Sequence, residues 1–183
     1  MAGPALAGLD FGWGPLPPLP APRSNGALVA LDRELFFLGG NGPRGVSAAC
    51  WRLAPTGRWE SIADLPEARF THGAAVVGGR IFVVGGLGAN LEPLDRVDVF
   101  DPGTGRWQSG PPLPVPRARL AVAAVGDSLL AVGGIEPDEP ASSRVEVLDP
   151  GASAWKPGPR LPLGLNRLGA AGFGQDLVVA GGW

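Results

Sequence analysis

Residues able to do chemistry are few in this sequence, and their types narrow what that chemistry can be. The one histidine, His72, could serve as a general base, but a base needs a second group at a diagnostic spacing, and none is found. His72 is therefore expected to be a hydrogen-bonded structural residue. The one cysteine, Cys50, allows neither an intrachain disulfide nor a thiolate metal cluster. Three acids gather at Glu136, Asp138 and Glu139. Their spacing does not match an EF-hand loop, and the prolines among them stiffen the segment, so a solvated acidic loop is expected rather than a calcium site. No metal, cofactor or catalytic residue is assigned. Arg23, Arg69 and Arg117 recur at one offset, each three residues after the proline of a Leu-Pro pair. Repetition argues against a unique ligand role and for a structural one, bridging adjacent units.

Those residues must be positioned by a chain of 183 residues, 45% hydrophobic, which is enough for one domain with a sizeable core. A net charge of −2 gives no electrostatic drive toward nucleic acid, whose binding rests on clustered Lys and Arg. No stretch approaches the ~18 uninterrupted apolar residues of a membrane-spanning helix. The start, MAGPALAGLDFGWG, has neither a basic region nor an apolar run, so no secretory signal or membrane anchor is expected and a cytoplasmic location is the default. The 30 glycines and 21 prolines would suggest disorder if scattered. They recur at fixed offsets instead, and so read as turn chemistry.

The recurrence is fourfold. Trp13, Trp59, Trp107 and Trp155 advance by 46, 48 and 48 residues, and so do the pairs Gly39/Gly40, Gly85/Gly86, Gly133/Gly134 and Gly181/Gly182. All four pairs are expected to be structural. A period of this size is the mark of a repeat architecture. Each unit offers four extended segments. The first is rich in small apolar residues (26–31, 72–77, 120–125, 168–173), and the second runs into the glycine pair (ELFFLGG, RIFVVGG, SLLAVGG, DLVVAGG). The third alternates (RVDVFD, RVEVLD, and the irregular ACWRLA), which predicts a half-buried strand, and the short fourth carries the tryptophan. Four antiparallel strands per unit at this period describe a β-propeller blade, so the fold class is all-β. Small residues suit an inner strand near the crowded axis, and the outer tryptophans are expected to pack between blades.

These marks resemble the kelch repeat family: the double glycine closing the second strand, the acid ending the third (Asp101, Asp149), the tryptophan six residues later, and the Leu-Pro-x-x-Arg turn (LPAPR, LPEAR, LPVPR). The resemblance runs from about Leu9 to Trp183, leaving 1–8 as an N-terminal segment, with units of about 9–62, 63–110, 111–158 and 159–183. Departures are Leu53 in place of the acid in the first copy, Leu165 in place of the turn arginine in the last, and the absence of any tyrosine. The resemblance implies about three full blades plus an incomplete fourth. Two readings of that count are expected: a piece of a larger ring, or a four-bladed closure using the strand around Trp13. An open blade edge would expose apolar surface and invite self-association.

The resemblance also implies where a ligand would be held. Kelch adaptors capture partners on the face carrying the post-glycine loops, with residues two positions after the turn arginine projecting into the central mouth. Here those are Asn25, Thr71, Arg119 and Arg167, of which the two arginines could grip a carboxylate or phosphate. The expected function is a non-catalytic scaffold presenting variable loops to a protein or peptide. The alternative is a sugar mutarotase or epimerase, an activity also found on kelch propellers. The copper radical oxidases of this scaffold need tyrosine and histidine ligands, and this sequence excludes them.

Overall fold

Inner-strand pairing and seam packing follow from the repeat. The computed structural model describes residues 14–183, so the expected strand around Trp13 and the segment 1–8 lie outside the described residues. Strands β1 (Ala27–Leu31) and β2 (Glu34–Leu38) are followed by a short hairpin, β3 (Asn41–Gly42) and β4 (Gly45–Val46), then by β5 (Cys50–Leu53) and β6 (Trp59–Ile62). The next unit holds β7 (Gly73–Val77), β8 (Arg80–Val84), β9 (Val97–Asp101) and β10 (Arg106–Ser109). The third holds β11 (Ala121–Val125), β12 (Ser128–Val132), β13 (Val145–Leu148) and β14 (Lys156–Pro157), and β15 (Leu168–Phe173) pairs with β16 (Asp176–Gly181). Three four-stranded antiparallel sheets, β1-β2-β5-β6, β7-β8-β9-β10 and β11-β12-β13-β14, and two two-stranded ones, β15-β16 and the small β3-β4 hairpin, result. The described residues contain no helix. Inner strands pack in sequence, β1 on β7, β7 on β11 and β11 on β15, which sets the sheets as successive blades around one axis.

The hydrophobic core lies in the seams between blades rather than at the axis. Between the first two, Phe36, Leu38, Cys50, Ile81, Val83 and Phe100 are all buried. Between the second and third, Val84, Val122, Leu129, Leu148 and Trp155 form the equivalent layer, and Val132, Val145 and Leu168 form the next. Both faces of a middle strand thus meet a neighbouring blade. For that reason the third strands are not half-exposed as their alternation predicts: Val97, Asp98 and Phe100 are buried together, as are Val145, Glu146 and Leu148.

Register also corrects one expected equivalence. Leu53 pairs with Leu35 as Phe100 pairs with Ile81, so the residue standing in the place of Asp101 is Ala54, and the turn after it is one residue shorter. That turn lacks the Asx geometry of the second unit, where the Asp101 carboxylate accepts from the amides of Gly103 and Thr104.

The first three glycine pairs show why only glycine serves. Gly85 and Gly86 have φ of 62° and 102°, and a Cβ on Gly85 would lie 2.3 Å from the Arg117 carbonyl oxygen of the next unit's turn. That closeness lets the Gly86 amide donate to the same carbonyl at 2.8 Å. Gly39 and Gly133 approach the carbonyls of Arg69 and Leu165 in the same way, and the bonds recur from Gly40 to Arg69 and from Gly134 to Leu165.

The fourth pair departs from the expectation that all four do this structural work. Gly181 and Gly182 keep the left-handed backbone, with φ of 70° and 99°, yet both are exposed. A Cβ on Gly181 would meet nothing within 4 Å, and the Gly182 amide donates to no turn carbonyl among the described residues. The physical reason is that the lock needs the turn of a following blade, and among the described residues none packs against this pair. Gly182 still lies close to its own unit, since a Cβ there would be 3.2 Å from the Asn166 carbonyl oxygen. Its role is thus local, shaping the strand end beside which Asn166 and Trp183 exchange main-chain hydrogen bonds.

Tryptophans add a second tie between units. The indole N–H of Trp59, Trp107 and Trp155 donates to the carbonyls of Pro17, Ala63 and Pro111, three positions in repeat register, at 2.8–2.9 Å.

Candidate functional site

The Leu-Pro-x-x-Arg turn leads the chain from an outer strand to the next inner strand and fixes what sits at the axis. Arg69 and Arg117 are wholly buried. The Arg69 side chain donates to the Arg96 carbonyl at 3.2 Å and to the Asp98 carboxylate at 2.5 Å, while its own carbonyl accepts from Gly40 of the preceding blade. Arg117 repeats this with the carbonyls of Gly133 and Arg144 and the carboxylate of Glu146. Each of these arginines therefore joins the preceding blade through its main chain and its own blade through its side chain. At Leu165 only the main-chain half remains. Burial lowers the Arg69 pKa and the charge of Asp98 opposes that shift.

Asp98 and Glu146 are functional parts of this lock that sequence reasoning missed. The signal was present: each stands 29 residues after its arginine in two successive copies. Their alternation with valines made them read as the solvent-facing positions of half-buried strands.

Two residues beyond each turn arginine, and beyond Leu165 in the last unit, Asn25, Thr71, Arg119 and Arg167 form the axial ring. All four have left-handed backbone, with φ of 54°, 53°, 54° and 55°. They are linked around the axis by main-chain hydrogen bonds: the Thr71 amide donates to the Asn25 carbonyl at 2.8 Å, Arg119 to Thr71 at 2.8 Å, and Arg167 to Arg119 at 2.9 Å. Threonine and arginine seldom adopt this conformation. The four residues line one cavity of about 370 Å³, together with Gly26, Phe70, His72 and Leu120. Two guanidinium groups border it and no carboxylate does. Among the described residues neither Arg119 nor Arg167 forms an ion pair, and Thr71 Oγ1 and Arg119 Nε are buried without a hydrogen-bond partner.

His72 lies at the floor of that cavity, buried, and neither ring nitrogen has a hydrogen-bond partner among the described residues. This departs from the expected hydrogen-bonded histidine. Burial pushes its pKa down to about 3, the nearby Arg69 charge adds to the shift, and the backbone of Leu38 opposes it. The imidazole is thus held neutral.

The acidic loop is not brought to the ring. Glu136 accepts from Ser142 Oγ at 2.5 Å and lies 3.1 Å from Arg144, leaving its side chain 9% exposed. Asp138 and Glu139 are exposed. No group of three or more Asp, Glu, His or Cys side chains is placed to hold a metal among the described residues. No helix is long and apolar enough to cross a membrane among them. Cys50 is only 1% exposed and sits in the seam between the first two blades.

Four-stranded antiparallel blades, locked to one another by a double glycine and an arginine-bearing turn, define a β-propeller of repeated blades. The kelch motif matches residues 68–114 and 116–162, just over half of the sequence, and the chain belongs to the kelch family. It is 36% identical over 95 residues to an F-box/kelch-repeat protein of Arabidopsis thaliana, covering 49% of this chain and 25% of that protein. It is 33% identical over 91 residues to Kelch-like protein 33 of Homo sapiens, covering 49% and 17% respectively. The solved structure of YjhT superposes with a TM-score of 0.79 at 22% identity, over 93% of this chain and 63% of that one. The matched region thus spans a quarter or less of the length of these curated relatives.

Proposed function

We propose that this chain is a non-catalytic kelch-repeat binding scaffold whose axial cavity receives an acidic segment of a protein or peptide. The observation that supports this reading is the ring itself: four residues in the same left-handed conformation line one cavity, and two of them bring guanidinium groups with no carboxylate to neutralise them. A carboxylate entering from solvent would meet Arg119 and Arg167 together, with the fork geometry suited to charge-assisted hydrogen bonds. Strain retained at a recognition site is a common accompaniment of function. The post-glycine loops, which differ most among the units, would set partner specificity around the mouth.

The test is fluorescence anisotropy of a labelled acidic peptide titrated with the chain. Arg119→Ala and Arg167→Ala should each weaken capture by about tenfold, as for loss of one charge-assisted hydrogen bond, while thermal unfolding stays nearly unchanged. A large loss of stability in either variant would make these arginines structural and sink the reading. The sugar mutarotase or epimerase alternative would need a proton-transferring pair, and the axial cavity has no carboxylate to supply one. Anomer exchange followed by NMR would reveal that activity if it were present.

Self-association belongs to the same proposal. Phe173, Val178 and Trp183 are 76%, 51% and 81% exposed on and beside the two-stranded sheet, an apolar surface that sedimentation at several concentrations would register.

A further inference from the structure

The first unit breaks the arginine lock, and what replaces it is a pocket. Trp51 pairs with Phe37 as Asp98 pairs with Val83 and Glu146 with Ala131, so an indole stands where the other two units place their buried carboxylate. Arg23, the turn arginine of this unit, has no acid to meet and forms no ion pair among the described residues. Its guanidinium lies 4.8 Å over the Trp51 ring, donates to Ser47 Oγ at 3.0 Å and to the Pro22 carbonyl at 2.9 Å, and keeps Nε buried without an acceptor. Gly42 makes room for it, since a Cβ there would lie 2.6 Å from Arg23 Nη1.

Three further replacements hollow the surroundings. Ala21 stands where the second unit has Glu67, Ala48 where it has Asp95, and Ala49 where it has Arg96. The cavity beside Arg23 is about 580 Å³, against about 340 Å³ for the corresponding one beside Arg96. Arg44, at the turn of the β3–β4 hairpin, lines the same space, and Asp64 is the one carboxylate lining it. Two cations against one anion, none of them ion-paired among the described residues, leave the pocket with a net positive charge.

We propose that this pocket is a carboxylate-binding site, distinct from the axial cavity, in which a ligand carboxylate entering from the pocket pairs with Arg23 as Asp98 and Glu146 pair with the turn arginines of the other units. The same turn arginine elsewhere in the chain selects a carboxylate from within, which is the chemistry its fork matches. The Trp51 ring beneath the guanidinium holds its plane in place, so less side-chain freedom is lost on binding. Arg44 supplies a second cation from the hairpin. The volume exceeds a lone carboxylate and fits a small dicarboxylic acid, or a glutamate side chain presented by a peptide.

The test is isothermal titration of the chain with glutarate and, separately, with a blocked Gly-Glu-Gly peptide. Saturable binding of either probe is expected; the one that binds more tightly identifies the source of the carboxylate. Arg23→Gln should lower affinity by about tenfold or more, the loss expected for a charge-assisted hydrogen bond, and the exposed Arg44→Ala by less. Arg119→Ala and Arg167→Ala should leave it unchanged, which separates this site from the axial one. Trp51→Asp, which supplies an internal carboxylate, should abolish binding, with thermal unfolding verifying that the variant is folded. Absence of saturation with both probes, an affinity indifferent to Arg23→Gln and Arg44→Ala, or equal displacement by phosphate and chloride would overturn the proposal.

Discussion

The Arg69 guanidinium and the Asp98 carboxylate meet at 2.5 Å with neither side chain exposed to water. Removing one member of such a pair leaves the other buried and uncompensated, so Asp98→Ala is expected to cost about 3–5 kcal/mol in equilibrium urea unfolding. Replacing both members by apolar residues removes that penalty. The double variant Arg69→Leu with Asp98→Val, whose first change copies Leu165 in the last unit, should be more stable than Asp98→Ala alone. A double variant less stable than the single one would mean that the arginine's bonds to carbonyl oxygens matter more than its charge pair.

Thr71 carries a branched Cβ at a φ of 53°, where Asn25 occupies the same ring position in the first unit at 54°. Asparagine adopts left-handed backbone readily and threonine only at a cost. Thr71→Asn is therefore expected to stabilise the protein by about 1 kcal/mol, read as a higher midpoint in thermal or urea unfolding. The amide that donates to the Asn25 carbonyl is retained in the variant. An unchanged or lower midpoint would show that the threonine methyl gains as much from packing as the backbone loses.

The period of the glycine pairs and tryptophans suffices to read the strands, because those residues act through backbone geometry and bulk that recur in every copy. The axial ring is legible for the same reason: Asn25, Thr71, Arg119 and Arg167 hold one offset, and one offset in a repeat means one place around an axis. What stays hidden depends on contacts across a seam. Asp98 and Glu146 look solvent-facing in an isolated strand and become buried only when the preceding blade covers them. Gly182 errs in the opposite direction, matching Gly40, Gly86 and Gly134 by offset while lacking the neighbouring turn that makes those three a lock. Leu53 matches Asp101 by its distance from Trp59, and a turn shorter by one residue shifts the true equivalent to Ala54. The departures of the first unit, Trp51 and Ala49, look irregular in the sequence and acquire meaning only beside the locks that they replace.

Cys50 shows how much of the chemistry of a side chain is set by its seam. Burial pushes its thiol up to about 12, and Sγ donates to the Ala48 carbonyl at 3.3 Å. Because the thiolate is the reactive form, a disulfide reagent at about pH 8 should not label the native protein on the timescale on which it labels the unfolded chain. Labelling should appear with the same urea midpoint as the loss of tryptophan fluorescence. Rapid labelling without denaturant would show that the seam between the first two blades opens on its own.

His72 ties stability to pH. Its pKa in the folded protein is depressed to about 3, below the ordinary value near 6.5, so the unfolded chain binds a proton that the native protein refuses. The stability that this group contributes is fully present above about pH 6.5 and is lost as pH falls from there toward 3. Between about pH 7.5 and 5 the loss amounts to about 2 kcal/mol, measured as the shift in urea unfolding free energy. Leu120 and Leu168 occupy the same position in the following units, so His72→Leu suits the site and should flatten that part of the pH dependence while preserving the fold. Arg69, the charge that adds to the depression of the His72 pKa, keeps its own proton throughout this range and contributes no slope. If the leucine variant loses stability on acidification as steeply as the parent, the sensitivity resides in the carboxylates and not in this imidazole.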